Sequence, residues 1–319
     1  MTAQVYGSAV TGLAAYRPVR RVTSEELAQQ TTVSPDWIVD RTGIEARHHA
    51  APDEDLVTMG TEAGRKALVA AAVSPAEVDL VILATATRRQ RIPGAAPQIA
   101  SRIGIPAAGA FDVNAVCAGF TYSLSMASDA VRLGRARNVL VVAAERTSEW
   151  ISPQMPDTYA IFGDGAGAVV VSRSDSDDIG PVVWGSDGER SAVLQSEVFE
   201  DNNEYVTMNG PLVYKWSTAT MPAVARRACE LAGVEMSDLS WFVPHQANLR
   251  IITTLTQTLG FPPDRVARDV VETGNTSGAS IPLALSTLAD SGRLKPGDLV
   301  LLLGFGAGLT YAGQVIRMP

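Results

Sequence analysis

Cys117 stands in the run FDVNAVCAGFTYSLSMASDAV, directly after an apolar strand pattern and at the head of a helix whose apolar face continues to Leu133. A thiol at a helix N-terminus feels the positive end of the helix dipole, which favours the thiolate. Ala118 and Gly119 beside it leave room for a carbonyl carbon to approach. The position therefore suits a nucleophile that takes up an acyl group. Cys229, mid-helix between Arg227 and Leu231, reads instead as packing.

A thiol nucleophile needs a base or a hydrogen-bond donor near it. His245, in WFVPHQANLRII, lies at the C-terminal end of a buried strand pattern, where side chains of an open α/β sheet project into the crevice. It is the candidate for that role. His48 and His49, in IEARHHAAPDED, are expected in a solvated loop. Asn275 lies in VVETGNTSGASIPLAL, a glycine-flanked segment that opens a helix. The turn GFGAGLT, Gly304 to Thr310, is expected to offer flexible backbone whose amides meet a developing oxyanion. A phosphate cradle is not indicated, because the chain lacks both GxxxxGK[ST] and a GxGxxG with the expected acidic residue.

These residues must be held by strands and helices, and the chain supplies them in alternation. VDLVILATAT, GAFDV and NVLVVAAE are apolar runs of the kind buried on both faces of a sheet, with helical patterns between them. The segment starting at Arg65 recurs at Arg226, with Ala67 matching Ala228, Val73 matching Val234 and Val78 matching Leu239. GDGAGAVVV is echoed by GFGAGLTYAGQVI. Two duplicated α/β halves are expected, residues 1–174 carrying the cysteine and 175–319 carrying the histidine and asparagine, divided near the polar run SRSDSDDI. Near Asn275 the repeat is read with an offset of about 158 residues, which sets Asn275 opposite Cys117. Sites often form where such halves meet.

Composition bounds the function class. A chain of 319 residues, 46% hydrophobic and 19% charged, can bury a large core. Its net charge of −8 opposes nucleic acid as a partner. Two distant cysteines make neither a disulfide framework nor a zinc cluster, and the first twenty residues lack a signal-peptide pattern. A cytoplasmic chain beginning at Met1 is expected, without a metal and not in a membrane. The apolar run LVLLLGFGAGLTYAGQVI is read as two buried strands.

AVCAGF, VPHQANLRII, ETGNTSGASIP and GFGAG, in this order, together with SPDWIVDRTGIEARH and FGDGAGAVV, resemble the thiolase-fold condensing enzymes, most closely β-ketoacyl-ACP synthase III, over essentially the whole chain. The resemblance implies a five-layered αβαβα fold and a homodimer. It implies that Cys117 accepts an acyl primer, that the amides of Cys117 and Ala307 hold the oxyanion, and that His245 and Asn275 assist decarboxylation of malonyl-ACP. Acyl-CoA and malonyl-ACP are then substrates, acyl carrier protein is the partner, and no cofactor is needed.

By the same resemblance Trp37 stacks on the adenine of coenzyme A and Arg41 contacts its phosphate, while Lys215, Asn248 and Arg250 stand at the mouth where the carrier docks. Ile92 and Phe305 are implied for the acyl pocket, Ile92 reaching across the dimer. Two departures stand out. Pro156 occupies a position where the family often has an arginine, and Ile92 replaces an aromatic residue of acetyl-specific members. Arg88, Arg89 and Arg91 read as a solvated loop or as a contact for a charged carrier or acidic primer. Beside decarboxylative condensation, two further readings stay open: transfer of the acyl group to a hydroxyl or amine, and a non-catalytic partner subunit.

Overall fold

The computed structural model describes residues 5–90 and 92–319. Arg91 therefore lies outside the described residues. The chain begins with β1 (Gly7–Tyr16), then a small ribbon, β2 (Arg21–Thr23) and β3 (Ala46–His48), with α1 (Ser24–Ala28) and α2 (Pro35–Thr42) between them. Three helix–strand pairs follow: α3 (Leu56–Ala70) with β4 (Leu80–Ala84), α4 (Ala96–Ile103) with β5 (Gly109–Val113), and α5 (Gly119–Arg132) with β6 (Asn138–Glu145). The short α6 (Pro156–Tyr159) precedes β7 (Gly165–Ser174).

Beyond the polar run come β8 (Val183–Ser186), a hairpin of β9 (Leu194–Val198) and β10 (Glu204–Met208), and the long α7 (Gly210–Ala232). Then follow β11 (Trp241–Pro244), α8 (Leu249–Leu259), α9 (Val270–Thr273), α10 (Ser280–Asp290) and the closing strands β12 (Leu299–Gly306) and β13 (Thr310–Arg317). The apolar C-terminal run is thus an antiparallel strand pair, as its glycines implied.

One sheet has the order β1-β7-β6-β4-β5 and the other β11-β12-β13-β8. Four strands of the first sheet repeat the pairings of the second, β5 having no counterpart: β4 with β6 and β11 with β12 are parallel, β6 with β7 and β12 with β13 antiparallel. The first sheet uses residues 7–174 and the second 183–317.

Every residue of β6 is buried because both its faces are covered. Val139, Val141 and Ala143 point into a middle layer made by α5 and α10, while Leu140, Val142 and Ala144 face α3 and α4. In β12, Val300 and Leu302 enter the same middle layer and Leu301, Leu303 and Phe305 pack toward α7 and α8. The result is helix, sheet, helix, sheet, helix. A strand whose two faces both need cover explains the unbroken apolar runs of the sequence.

Candidate active site

Cys117 occupies a single 3₁₀ turn, Val116–Ala118, that runs into α5. Val116 is held at φ 46°, a left-handed backbone that a β-branched residue rarely adopts. Asn114 supports it by accepting a hydrogen bond from the Val116 amide through Oδ1 at 3.2 Å. On the opposite face, β12 lies so close that a Cβ on Gly306 would sit 2.6 Å from the Cys117 Cβ and 2.9 Å from its Sγ. The value of this glycine is close approach rather than the flexibility expected of the turn, since Gly304 and Gly306 are both inside a regular strand.

Opposite this turn stands a second one of the same shape, at Ser277–Ala279. Ser277 has φ 48°, and Asn275 Oδ1 accepts from the Ser277 amide at 2.8 Å. The offset between the two turns is 161 (277 − 116), the same offset that pairs Ala67 with Ala228. This corrects the offset of about 158: Asn275 is the counterpart of Asn114, and Cys117 of Gly278. The two asparagines do the same local work, holding an amide in a strained turn. Asn275 is also anchored between its amide on the Ile161 carbonyl at 2.9 Å and its own carbonyl on the Gly163 amide at 3.0 Å. Since an N–H needs an oxygen acceptor, the bond from Ser277 fixes Oδ1 inward and leaves Nδ2 for the cavity.

His245 directly follows β11, where its amide bonds the Leu303 carbonyl at 2.8 Å and its ring stands edge-on to Phe305. Nδ1 lies 2.7 Å from Ser280 Oγ, which also accepts from the Gln246 amide at 3.2 Å. The one hydroxyl hydrogen of Ser280 is free for Nδ1, and with that bond made the imidazole carries its hydrogen on Nε2. Burial pushes the His245 pKa down to about 3. The ring is neutral at ordinary pH.

Burial also pushes the Cys117 thiol up to about 12, with a hydrogen bond to Ser277 Oγ at 3.5 Å and the amides of Cys117 and Ala307 pulling back, and the Glu145 carboxylate pushing further up. The thiolate expected from the helix dipole is therefore not the resting form. Desolvation in a closed site outweighs a dipole whose helix starts two residues later. Cys229, buried in α7, is likewise pushed up to about 11 by burial and takes no part in this site.

Cys117, His245, Asn275, Phe305 and Gly306 line one cavity of about 500 Å³. Its outer part is lined by Trp37, Arg41, Asn248 and Arg250. The Arg41 guanidinium lies 5.5 Å from the centroid of the Trp37 ring, and that of Arg250 lies 5.8 Å from the Tyr214 ring centroid. Asn248 caps α8 through Oδ1 and ties α2 to it by donating to the Arg41 carbonyl at 3.2 Å. Lys215 is exposed on α7 and is not among the lining residues. Ile92, 86% exposed, does not line this chain's cavity either. Pro156 is the first residue of α6, where a missing amide hydrogen costs nothing.

Sequence and structure are matched throughout by known proteins. The family description "3-Oxoacyl-[acyl-carrier-protein (ACP)] synthase III" fits residues 111–188, and its C-terminal counterpart fits residues 229–318. Beta-ketoacyl-[acyl-carrier-protein] synthase III 4 of Streptomyces coelicolor is 46% identical over 98% of this chain and 99% of its own. The chain belongs to the β-ketoacyl-ACP synthase III family.

Membership makes it an acyltransferase-type condensing enzyme. Among solved structures, the priming β-ketosynthase of the R1128 polyketide pathway superposes with a TM-score of 0.97 at 44% identity, covering 100% of this chain and 98% of that one. The synthase III of Aquifex aeolicus gives 0.93 at 37% identity, over 98% of this chain and 100% of that one.

Within this synthase III, several sequence expectations change. His48 and His49 are not a solvated loop: His48 Nδ1 lies 2.6 Å from the Pro18 carbonyl, and burial lowers the pKa of His49 against the opposing pull of Asp164. Of the arginine-rich segment, Arg88 bonds Gln90 and Gln98, and Arg89 bonds Glu149, all within the chain. Sequence reasoning passed over Glu145, Ser277 and Ser280. Glu145 had a visible signal, a carboxylate closing the otherwise apolar strand NVLVVAAE, which demands buried partners. The serines had only their place in NTSGAS beside Asn275. Among the described residues no helix is long and apolar enough to cross a membrane.

Proposed function

We propose that this synthase III primes chain assembly. Cys117 Sγ attacks the carbonyl of an acyl thioester, the amides of Cys117 and Ala307 hold the oxyanion, and a thiol departs to leave acyl-Cys117. Malonyl-ACP then enters. Loss of carbon dioxide leaves an enolate whose oxygen takes hydrogen bonds from His245 Nε2–H and Asn275 Nδ2, and the carbon attacks the acyl group. The product is β-ketoacyl-ACP and a free thiol. Neutral donors suit an enolate oxygen formed from an anion already in the site, because a charged imidazolium would hold the malonyl carboxylate in place.

The observation that carries this reading is the convergence of a sealed thiol, an imidazole held through Nδ1 by Ser280 and the free end of Asn275 on one cavity. Acyl-CoA or acyl-ACP supplies the primer, and Arg41 and Arg250 at the mouth meet the acidic carrier. Trp37, with Arg41 on one face, receives the carrier's nucleotide or pantetheine arm. The enzyme is cytoplasmic and works as a homodimer of chains each built from two duplicated halves, 1–174 and 175–319. In it the exposed Ile92 closes the partner's acyl pocket; β5 is the open edge of its sheet, with Phe111 38% exposed. Intact-protein mass spectrometry with a panel of acyl-CoA and acyl-ACP donors, followed by malonyl-ACP, tests the proposal. An acyl mass on Cys117 that malonyl-ACP discharges as β-ketoacyl-ACP is expected. An acyl mass that survives malonyl-ACP overturns condensation.

A further inference from the structure

Glu145 ends β6 without any exposed surface and, among the described residues, without a cationic partner. It accepts from Thr87 Oγ at 2.7 Å, Thr85 Oγ at 3.1 Å, the Thr87 amide at 3.1 Å and the Ala86 amide at 3.1 Å. These four clamp the loop after β4. On its other side Oε1 accepts from Ser277 Oγ at 3.1 Å and from the Gly278 amide at 3.4 Å. Ser277 Oγ is in turn the partner of the Cys117 Sγ at 3.5 Å.

The direction of these bonds matters. A carboxylate can only accept, so the single Ser277 hydroxyl hydrogen points at Glu145, and the remaining lone pairs of Oγ receive the Cys117 S–H. The three groups form a one-way chain, S–H to O–H to carboxylate. The repeat shows that the position is special. With the offset of 161, Glu145 is the counterpart of Gly306, so the first half places a carboxylate where the second half has only the backbone that abuts the nucleophile.

We propose that Ser277 is a catalytic residue and Glu145 a positioning residue that acts through it, the two taking the Cys117 proton as the thiol attacks and returning it when the product leaves. The proposal rests on Cys117 being the nucleophile. In acylation the S–H bond breaks as the S–C bond forms; its proton moves to Ser277 Oγ while the serine proton moves to Glu145. The departing carrier thiolate is protonated by water. In condensation the enolate carbon displaces Cys117 thiolate, which recovers a proton from Ser277 as Ser277 recovers one from Glu145. One proton is consumed per turnover, as the loss of carbon dioxide from a carboxylate requires. Burial raises the pKa of Glu145, which eases this exchange with a thiol.

Other ionisable groups leave the pair isolated. His245, just after β11, is neutral, and Arg146, next to Glu145, turns to the Ala51 carbonyl and to Glu149. Arg41, Asp157 and Arg250 line the cavity but are exposed.

The test is the pH profile of Cys117 alkylation by iodoacetamide, followed by mass spectrometry in the native enzyme, Glu145→Gln and Ser277→Ala. A proton shared inside the chain gives a native rate nearly flat between about pH 6 and 8, because the reactive tautomer needs no proton from solvent. Breaking the chain makes the rate climb about tenfold per pH unit, with a loss on the order of 10²-fold in acylation near neutrality. A native profile that already climbs tenfold per unit, or variants that keep the native shape, overturns the proposal. Ser277→Ala leaves every other Glu145 contact in place, so it decides the matter should Glu145→Gln fail to fold. Iodoacetamide needs no acyl donor. A Cys117 that alkylates with a flat profile yet accepts no thioester would sink the condensing reading and leave the proton chain standing.

Discussion

Val116 and Ser277 hold the same left-handed backbone, φ 46° and 48°, in two 3₁₀ turns that face each other across the interface of the two halves. Each is steadied by an asparagine two residues earlier. A non-glycine residue held this way costs on the order of 1–3 kcal/mol. In the first turn the strain presents Cys117 to the cavity; in the second it presents the Ser277 hydroxyl to Cys117.

Cys117→Ala removes the only thiol that lines the cavity among the described residues. Acylation should be abolished for every donor, read as the absence of any thioester-derived mass shift. Undiminished condensation by this variant would end the nucleophile assignment.

Asn275→Ala removes the Nδ2 donor and the acceptor of the Ser277 amide. Acyl transfer to Cys117 should persist at a reduced rate, because the Ser277 turn loses its support, while release of carbon dioxide from malonyl-ACP falls on the order of 10²-fold. Radiolabelled malonyl-ACP measures the second step alone, and a normal rate would remove the proposed role.

Ser280→Ala takes away the hydroxyl that sets the His245 tautomer at 2.7 Å. The imidazole remains but samples both tautomers, so decarboxylation should drop about tenfold for the loss of about 1.4 kcal/mol of hydrogen bonding. Acylation, measured in the same samples, should be unchanged.

The buried neutral His245 also leaves a mark on stability. Its folded pKa, about 3, lies below the ordinary value of 6.5, so between those values the unfolded chain binds a proton that the folded one does not. Stability is fully present above about pH 6.5 and falls as pH drops toward 3, by about 1.4 kcal/mol per unit. Urea unfolding at pH 4.5, 5.5 and 6.5 should show a shallower acid loss in His245→Asn than in the native protein.

Gly306→Ala would set a methyl 2.6 Å from the Cys117 Cβ. The strand or the nucleophile turn must move, at a cost of about 1–3 kcal/mol, and acylation should fall with it. Thermal unfolding and acyl loading measure the two effects separately.

Much of this enzyme is readable in its residues taken in order. Apolar runs such as NVLVVAAE report strands covered on both faces, and the match of Ala67 with Ala228 reports the duplication, because burial and helical period are local patterns. The motifs around Cys117, His245 and Asn275 point to the proposed reacting set only in combination, since each residue alone has a common structural use: a packed thiol, a structural histidine, a capping asparagine. Packing settled the rest. Whether Cys117 rests as thiol or thiolate depends on desolvation by β12 and the opposing turn, neither of which is near it in the chain. The pairing of Cys117 with Ser277, and of Ser277 with Glu145, joins residues 160 and 132 positions apart. Such contacts arise only when the two halves dock, and no periodicity in either half encodes the distance between them.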